Sequence, residues 1–118
     1  MVKIKTLENG LRIIVDEMPS MTSAAVGVWV SVGGRYENNA NAGISHFIEH
    51  MVFKGSQNRT CQQIKEEIEG VGGYLNAFTS EEYTCYYAKV IGDEFSRALE
   101  VLSDMVLNPL FSQSDISL

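Results

Sequence analysis

Hydrophobic and polar residues alternate along residues 3–7 and 24–32, and residues 11–15, 74–79 and 83–90 are rich in β-branched and aromatic residues, so five short segments have the pattern of β-strands. The predicted strands cover residues 3–7, 11–15, 24–32, 74–79 and 83–90. Asn9-Gly10 separates the first two segments, and this dipeptide is the strongest short signal for a tight hairpin of type I′, with positive φ at both residues. Three polar residues separate the last two segments, so a second hairpin is predicted there.

Apolar residues recur at helical spacing in three other segments, residues 43–55, 60–70 and 93–107. Thr60 and Gln63 form the pattern of a capping box at the start of the second helix. Asp93 is suited to cap the third helix, and Asn108-Pro109 ends it. Because helices follow hairpins and do not alternate strictly with strands, we expect an α+β fold, a mainly antiparallel sheet with helices packed on one face.

The first predicted helix carries both histidines of the chain, in His46-Phe47-Ile48-Glu49-His50. At about 100° per residue, His46, Glu49 and His50 lie on one side of this helix. The apolar residues on the other side are Ile44, Phe47, Ile48, Met51 and Val52. We expect the apolar side to face the core. Asn41 and Ser45 are both suited to cap the helix, and both remain candidates.

The imidazole and carboxylate side of this helix has the chemistry of a zinc site. Two histidines at i and i+4 reach the same tetrahedral ion, and zinc lowers the pKa of a bound water to about 7. Glu49 lies beside the pair, where a general base for that water is needed. The alternative is a solvated helix face, which an arbitrary histidine pair forms more often. The glutamate beside the pair and the opposed apolar side favour the zinc site.

Charge and composition exclude several other classes of protein. Nine basic and fifteen acidic residues give a net charge of −6, and no basic cluster is longer than a pair, so a nucleic-acid surface is not expected. No apolar run approaches the roughly 18 residues that span a bilayer, and no signal-peptide pattern opens the sequence. We therefore expect a cytoplasmic protein, and a periplasmic or organellar origin is the alternative if an upstream segment is missing. Cys61 and Cys85 lack metal-site spacing and are expected to be small buried hydrophobes.

The order His-x-x-Glu-His reverses the common zincin motif and is typical of inverzincins. Around it, further segments resemble signatures of peptidase family M16, the insulinase, pitrilysin and mitochondrial processing peptidase group. These segments are Leu7-Glu8-Asn9-Gly10-Leu11, Gly33-Gly34-Arg35-Tyr36-Glu37, Gly43-Ile44-Ser45-His46-Phe47-Ile48-Glu49-His50-Met51, Phe53-Lys54-Gly55, Gly72-Gly73-Tyr74-Leu75-Asn76-Ala77-Phe78-Thr79-Ser80-Glu81 and Asn108-Pro109. They follow the family order across essentially the entire chain, which resembles the amino-terminal catalytic domain of a smaller bacterial-type member.

The resemblance implies a zinc metalloendopeptidase that hydrolyses unfolded peptides or presequences. His46 and His50 would be zinc ligands, and Glu49 would be the base that activates water and then protonates the leaving amine. One predicted strand resembles the segment along which the family binds its substrate as an added β-strand. The substrate-binding residues would be Asn76, Ala77, Phe78 and Thr79. The alternative for this segment is an ordinary core strand.

The third zinc ligand is the main departure from the family pattern. The resemblance implies a glutamate further along the chain, and here it would fall past Leu118. Glu37, Glu81 and Glu82 are the other carboxylates to consider, but nothing in their spacing recommends them. We expect these three to be surface or loop charges.

The end of the sequence and the expected partner are a second departure. Ser112 or Ser114, followed by Asp115, begins a helix that is not completed, so we expect residues 1–118 to be a single partial domain that lacks its C-terminal helices and strands. The resemblance implies a homologous second M16 domain or subunit that encloses a peptide chamber, and an isolated chain that binds zinc weakly and hydrolyses little or nothing. The alternatives are a non-catalytic partner or assembly subunit of the same fold, and a metal-binding regulatory domain that does not need Glu49.

Overall fold

The computed structural model describes residues 2–116, without the side chains of Ser114 and Asp115. Its α+β architecture confirms the predicted fold class. The strands are β1 Val2–Thr6, β2 Arg12–Asp16, β3 Ser23–Val30, β4 Tyr74–Thr79 and β5 Thr84–Ile91, and the helices are α1 Ile44–Val52, α2 Cys61–Glu69, α3 Phe95–Leu107 and the single turn α4 Gln113–Ile116. Two 3₁₀ turns lie at Gly34–Tyr36 and Gly92–Glu94. No helix within the described range is long and apolar enough to cross a membrane.

β1 and β2 form the predicted antiparallel hairpin, but with a different turn. Gly10 has a positive φ of 92°, whereas Asn9 is not among the residues with positive φ, so the turn is not of type I′. The Gly10 N–H donates to the Leu7 carbonyl at 2.9 Å, and the Asn9 side chain accepts from the Leu11 N–H at 3.0 Å. An ordinary turn followed by a left-handed glycine closes a hairpin equally well, and it requires the special conformation at glycine alone.

β3, β5 and β4 form a second antiparallel sheet in that order, so β4 is an edge strand among the described strands. Helices α1, α2 and α3 pack against this sheet. Alternate strand residues point toward the helices and join the core, as the sequence pattern predicts. They are Val26, Val28, Val30, Leu75, Ala77, Tyr86, Ala88 and Val90. The other face carries exposed aromatic side chains, including Trp29 and Phe78, whose ring centroids are 5.8 Å apart.

α2 and α3 complete the core. The predicted capping box is present, since the Gln63 N–H donates to Thr60 Oγ1 at 3.1 Å and the Thr60 N–H donates to Gln63 Oε1 at 2.8 Å. The buried apolar side chains of the two helices are Ile64, Ile68, Ala98, Val101, Leu102 and Met105. Asp93, predicted to cap α3, does not do so. It lies in the 3₁₀ turn before the helix, and Glu94 occupies the cap position without a side-chain hydrogen bond.

A buried ion pair connects the loop between α1 and α2 to α3. Arg59 Nη1 donates to Asp104 Oδ2 at 2.9 Å, and both side chains are largely buried. Arg59 also pairs with Glu67 and Glu100. The other donors to Asp104 are Ser56, Asn58 and Asn108. Burial pushes the pKa of Asp104 upward, but its hydrogen bonds outweigh burial and hold the pKa at about 2. The loop that follows α1 is therefore tied to the core by charge.

Candidate functional site

The imidazoles of His46 and His50 lie side by side on the exposed side of α1. Their ring centroids are 4.5 Å apart and their planes meet at 79°. Both residues are exposed to solvent. One turn of helix separates them, so local geometry alone brings the two rings together. Two imidazoles so placed are able to bind one metal ion jointly.

The apolar side of α1 is buried only at its C-terminal end. Met51 and Val52 are buried, whereas Ile44, Phe47 and Ile48 remain more than a third exposed. The expectation that the whole apolar side faces the core is therefore wrong for the first two turns. The physical reason is that α1 packs against the edge strand β4, which covers little of the helix.

The N-terminus of α1 is capped by Glu37, seven residues before the helix begins. One carboxylate oxygen of Glu37 accepts from the Gly43 N–H at 2.7 Å and the other from the Ser45 N–H at 2.9 Å. Neither predicted cap is used: Asn41 Oδ1 accepts from Asn38 N–H, and no side chain at the cap position bonds the helix. The Ser45 and Gly43 donors lower the pKa of Glu37. Glu37 thus supports the histidine helix and is more than a surface charge.

Glu49 lies on the same helix as the histidines and is held by β4. Thr79 Oγ1 donates a hydrogen bond to Glu49 Oε2. The other oxygen, Oε1, has no hydrogen-bond partner among the described residues. Burial, reinforced by the charge of Glu49, raises the pKa of the neighbouring Tyr86 to about 12. The Glu49 carboxylate is therefore partly buried, with one oxygen anchored and the other available.

The four residues predicted to bind substrate all lie in β4. Thr79 is brought into contact with Glu49, as described above. Asn76, Ala77 and Phe78 lie further along the edge strand, and within the described range none of them hydrogen-bonds to His46, Glu49 or His50. The Ala77 N–H donates to Asn76 Oδ1 at 2.8 Å, so a backbone donor at the free edge is occupied by a side chain instead of a neighbouring strand.

No group of three or more His, Cys, Asp or Glu side chains in the described part of the chain is arranged to hold a metal ion. Glu49 therefore does not complete a three-ligand set with the two histidines. Two of the three other carboxylates considered are engaged elsewhere: Glu37 caps α1, and Glu82 pairs with Arg35 at 2.7 Å. The donor chemistry fits two positions of a zinc coordination sphere, and the described residues leave the remaining positions open.

Sequence reasoning missed two roles at this site, that of Glu37 as a cap for α1 and that of Thr79 as the hydrogen-bond donor to Glu49. Glu37 acts on backbone groups six and eight residues away, outside the spacing of a local cap, and Thr79 is 30 residues from its partner. Local patterns such as capping boxes join residues three positions apart, so no short signal in the sequence points to either contact.

Comparison with known proteins shows which family the sequence matches. The sequence matches the profile of insulinase, peptidase family M16, over residues 12–118. It is 45% identical over 116 residues to the protein named uncharacterized zinc protease YmxG of Bacillus subtilis, covering 98% of this chain and 28% of that protein. It is also 45% identical over 115 residues to the probable mitochondrial-processing peptidase subunit beta of Arabidopsis thaliana, covering 98% of this chain and 22% of that protein. The chain thus spans about a quarter of the length of the curated relatives it matches.

Proposed function

Because the chain belongs to the insulinase family, peptidase family M16, we propose that it carries the catalytic helix of a zinc-dependent metalloendopeptidase acting on unfolded peptides or presequences. The observation that carries this proposal is the side-by-side arrangement of His46 and His50, 4.5 Å apart between ring centroids, on the helix that also carries Glu49. Relatives that carry the name zinc protease support it.

His46 and His50 are the proposed zinc ligands. Two exposed imidazoles on one helix face fit the chemistry of such a site, and water or a ligand outside the described residues would fill the coordination positions they leave. When bound, zinc supplies Lewis acidity, which makes water more acidic and polarises a carbonyl oxygen. Neither histidine takes part in proton transfer in this proposal.

Glu49 is the proposed general base and, in the second half of the reaction, the general acid. It accepts a proton from the attacking water through its available oxygen, Oε1, while Thr79 keeps Oε2 in place. The hydroxide formed adds to the scissile carbonyl carbon. Glu49 then returns the proton to the leaving amine as the C–N bond breaks, so the carboxylate ends in its starting charge state.

The edge of β4 is the proposed substrate-binding surface. An extended peptide adds to a free sheet edge through main-chain hydrogen bonds, and Asn76, Ala77, Phe78 and Thr79 form that edge. Because Thr79 contacts Glu49, a peptide aligned along this edge would run toward the base. This mode requires an extended backbone and therefore favours unfolded substrates.

A homologous second M16 domain or subunit is the proposed partner. The Arabidopsis relative is named as a subunit, which supports assembly from more than one part in this family.

The alternative function, a non-catalytic partner or assembly subunit, is disfavoured because such a subunit has no chemical need for His46, Glu49 and His50 on one helix face. We also propose a reducing compartment such as the cytoplasm, since Cys61 and Cys85 are both free thiols.

Zinc titration tests the ligand assignment on the chain itself. Competition with a chromogenic chelator should give weak one-to-one binding in the wild type. His46→Ala and His50→Ala should each weaken binding by about tenfold or more, whereas Glu49→Gln should bind zinc as the wild type does. An equal loss of zinc affinity in all three variants would make Glu49 a ligand. Zinc affinity that is unchanged in both histidine variants would reject the site.

A chimera tests hydrolysis. This chain would replace the matched 116 residues of the Bacillus subtilis relative, with the unaltered relative as control. We expect the chimera to cleave an unstructured fluorogenic peptide whenever the relative does, and Glu49→Gln to abolish cleavage without loss of zinc. A folded, zinc-loaded chimera that is inactive beside an active parent, or cleavage that survives Glu49→Gln, would contradict the proposal.

A further inference from the structure

Thr79 occupies the last position of β4 and connects the edge strand to α1. Its hydroxyl donates to Glu49 Oε2, across 30 residues of sequence. In the antiparallel register Thr79 pairs with Thr84 of β5, whose hydroxyl donates to the Val32 carbonyl at 3.0 Å. Two threonines therefore sit opposite each other in one ladder, and only Thr79 bonds to a carboxylate.

The hydrogen bond leaves the two oxygens of Glu49 in different situations. Oε2 accepts a charge-assisted bond from Thr79, and Oε1 has no hydrogen-bond partner within the described range. A glutamate side chain has three rotatable bonds, so a lone carboxylate on a helix surface samples many orientations. A single strong donor from a second element removes most of that freedom and determines which oxygen remains for another partner.

We infer that Thr79 is the positioning residue for Glu49, holding Oε2 so that Oε1 is directed to the face shared with His46 and His50. The strand proposed to bind the peptide backbone thereby also orients the base. The catalytic meaning of this role depends on the proposed function, whereas the hydrogen bond and the orientation of Glu49 do not. Thr79 is therefore assigned a side-chain role beyond a backbone contact with substrate.

Four variants of the 118-residue chain test this role. Thr79→Val keeps the shape of the side chain and removes the hydroxyl, and Thr79→Ser keeps the hydroxyl and removes the methyl group. Glu49→Ala removes the acceptor. Thr84→Val is the matched control, because it deletes the hydrogen bond of the opposite threonine without touching Glu49.

The first readout is the side-chain carboxyl ¹³C resonance of Glu49, assigned in zinc-free protein by its absence from Glu49→Ala. Thr79→Val should move this resonance, and Thr79→Ser should restore its wild-type position. Thr84→Val should destabilise the fold and leave the resonance where it was. The inference would be overturned if the chemical shift of this resonance did not change in Thr79→Val, or if it changed equally in Thr84→Val.

The second readout is urea unfolding, analysed as a double-mutant cycle. Thr79→Val should lower the folding equilibrium constant by about tenfold in the wild-type background and by less than about twofold in Glu49→Ala. Equal losses in both backgrounds would reduce Thr79 to a packing residue. Neither readout needs zinc or hydrolysis, so their failure would reject the Thr79 role while leaving the proposed function intact, and failure of the zinc titration would do the reverse.

Discussion

The carboxylate of Glu37 accepts a hydrogen bond at 2.9 Å from the backbone N–H of Ser45. Glu37 lies outside α1, and this bond supports the helix that carries both histidines. Gly43 occupies the cap position with φ of 84° and has no side chain to serve as a cap. A distant glutamate supplies what the local sequence lacks, and its negative charge is favourable at a helix N-terminus.

Glu37→Ala should loosen the first turn of α1. The Gly43 and Ser45 amide protons should exchange with solvent faster, because their acceptor is gone. Zinc affinity should also fall, because the first turn of the helix becomes less ordered. Glu82→Ala is the control, since it removes an exposed ion pair with Arg35 and leaves α1 alone. Unchanged exchange at both amides would contradict the cap. Since these bonds lower the pKa of Glu37, their contribution is present at neutral pH and is lost as the pH falls through that lowered pKa.

Asp104→Ala should destabilise the chain by about 3–5 kcal/mol, because it leaves the buried Arg59 guanidinium without its best partner. Glu100→Ala removes an exposed partner of the same arginine and should cost less than about 1 kcal/mol. Urea unfolding at neutral pH measures both. Similar losses in the two variants would show that burial of the pair is energetically unimportant.

Asp104 should also account for part of the acid sensitivity of the fold. Its pKa is about 2 in the folded chain and near 3.9 when unfolded, so its contribution of roughly 2.5 kcal/mol is present above about pH 4 and disappears as the pH falls toward 2. The free energy of unfolding of the wild type should therefore drop more steeply over this range than that of Asp104→Ala. Parallel pH profiles would contradict the assignment.

Leu102→Ala and Leu99→Ala should differ sharply, although both lie in α3. Leu102 is 0% exposed and Leu99 is 42% exposed. The first change leaves a cavity beneath the sheet and should cost about 2–5 kcal/mol, and the second should cost less than about 1 kcal/mol. Equal shifts in urea midpoint would mean that the core is assigned wrongly.

Ala77→Pro should block peptide binding at β4 while the chain stays folded, since proline is tolerated at a sheet edge but removes the N–H that an added strand would take over from the Asn76 side chain. Fluorescence anisotropy of a labelled unstructured peptide in zinc-free buffer should show affinity lower by about fivefold or more. Ala77→Val, which keeps the N–H, is the control. Equal binding by both variants would place the peptide elsewhere.

The elements that rest on local rules were predicted well. Thr60 and Gln63 form their capping box, and the two hairpins join the expected segments. The errors occurred where several local solutions compete. Gly10 closes its hairpin without a left-handed conformation at Asn9. Asp93 lies in the 3₁₀ turn that precedes α3, so it does not occupy the cap position.

The sequence by itself determined that His46 and His50 share a helix face, because residues four apart on any α-helix are neighbours. It also determined the alternation that buries one side of each strand of the larger sheet. Only the tertiary structure decided which oxygen of Glu49 is anchored, since Thr79 reaches it after the chain has turned through α2 and into β4. The same holds for Glu37 at the start of α1. Contacts between distant segments depend on how the elements pack, and no local spacing encodes that packing.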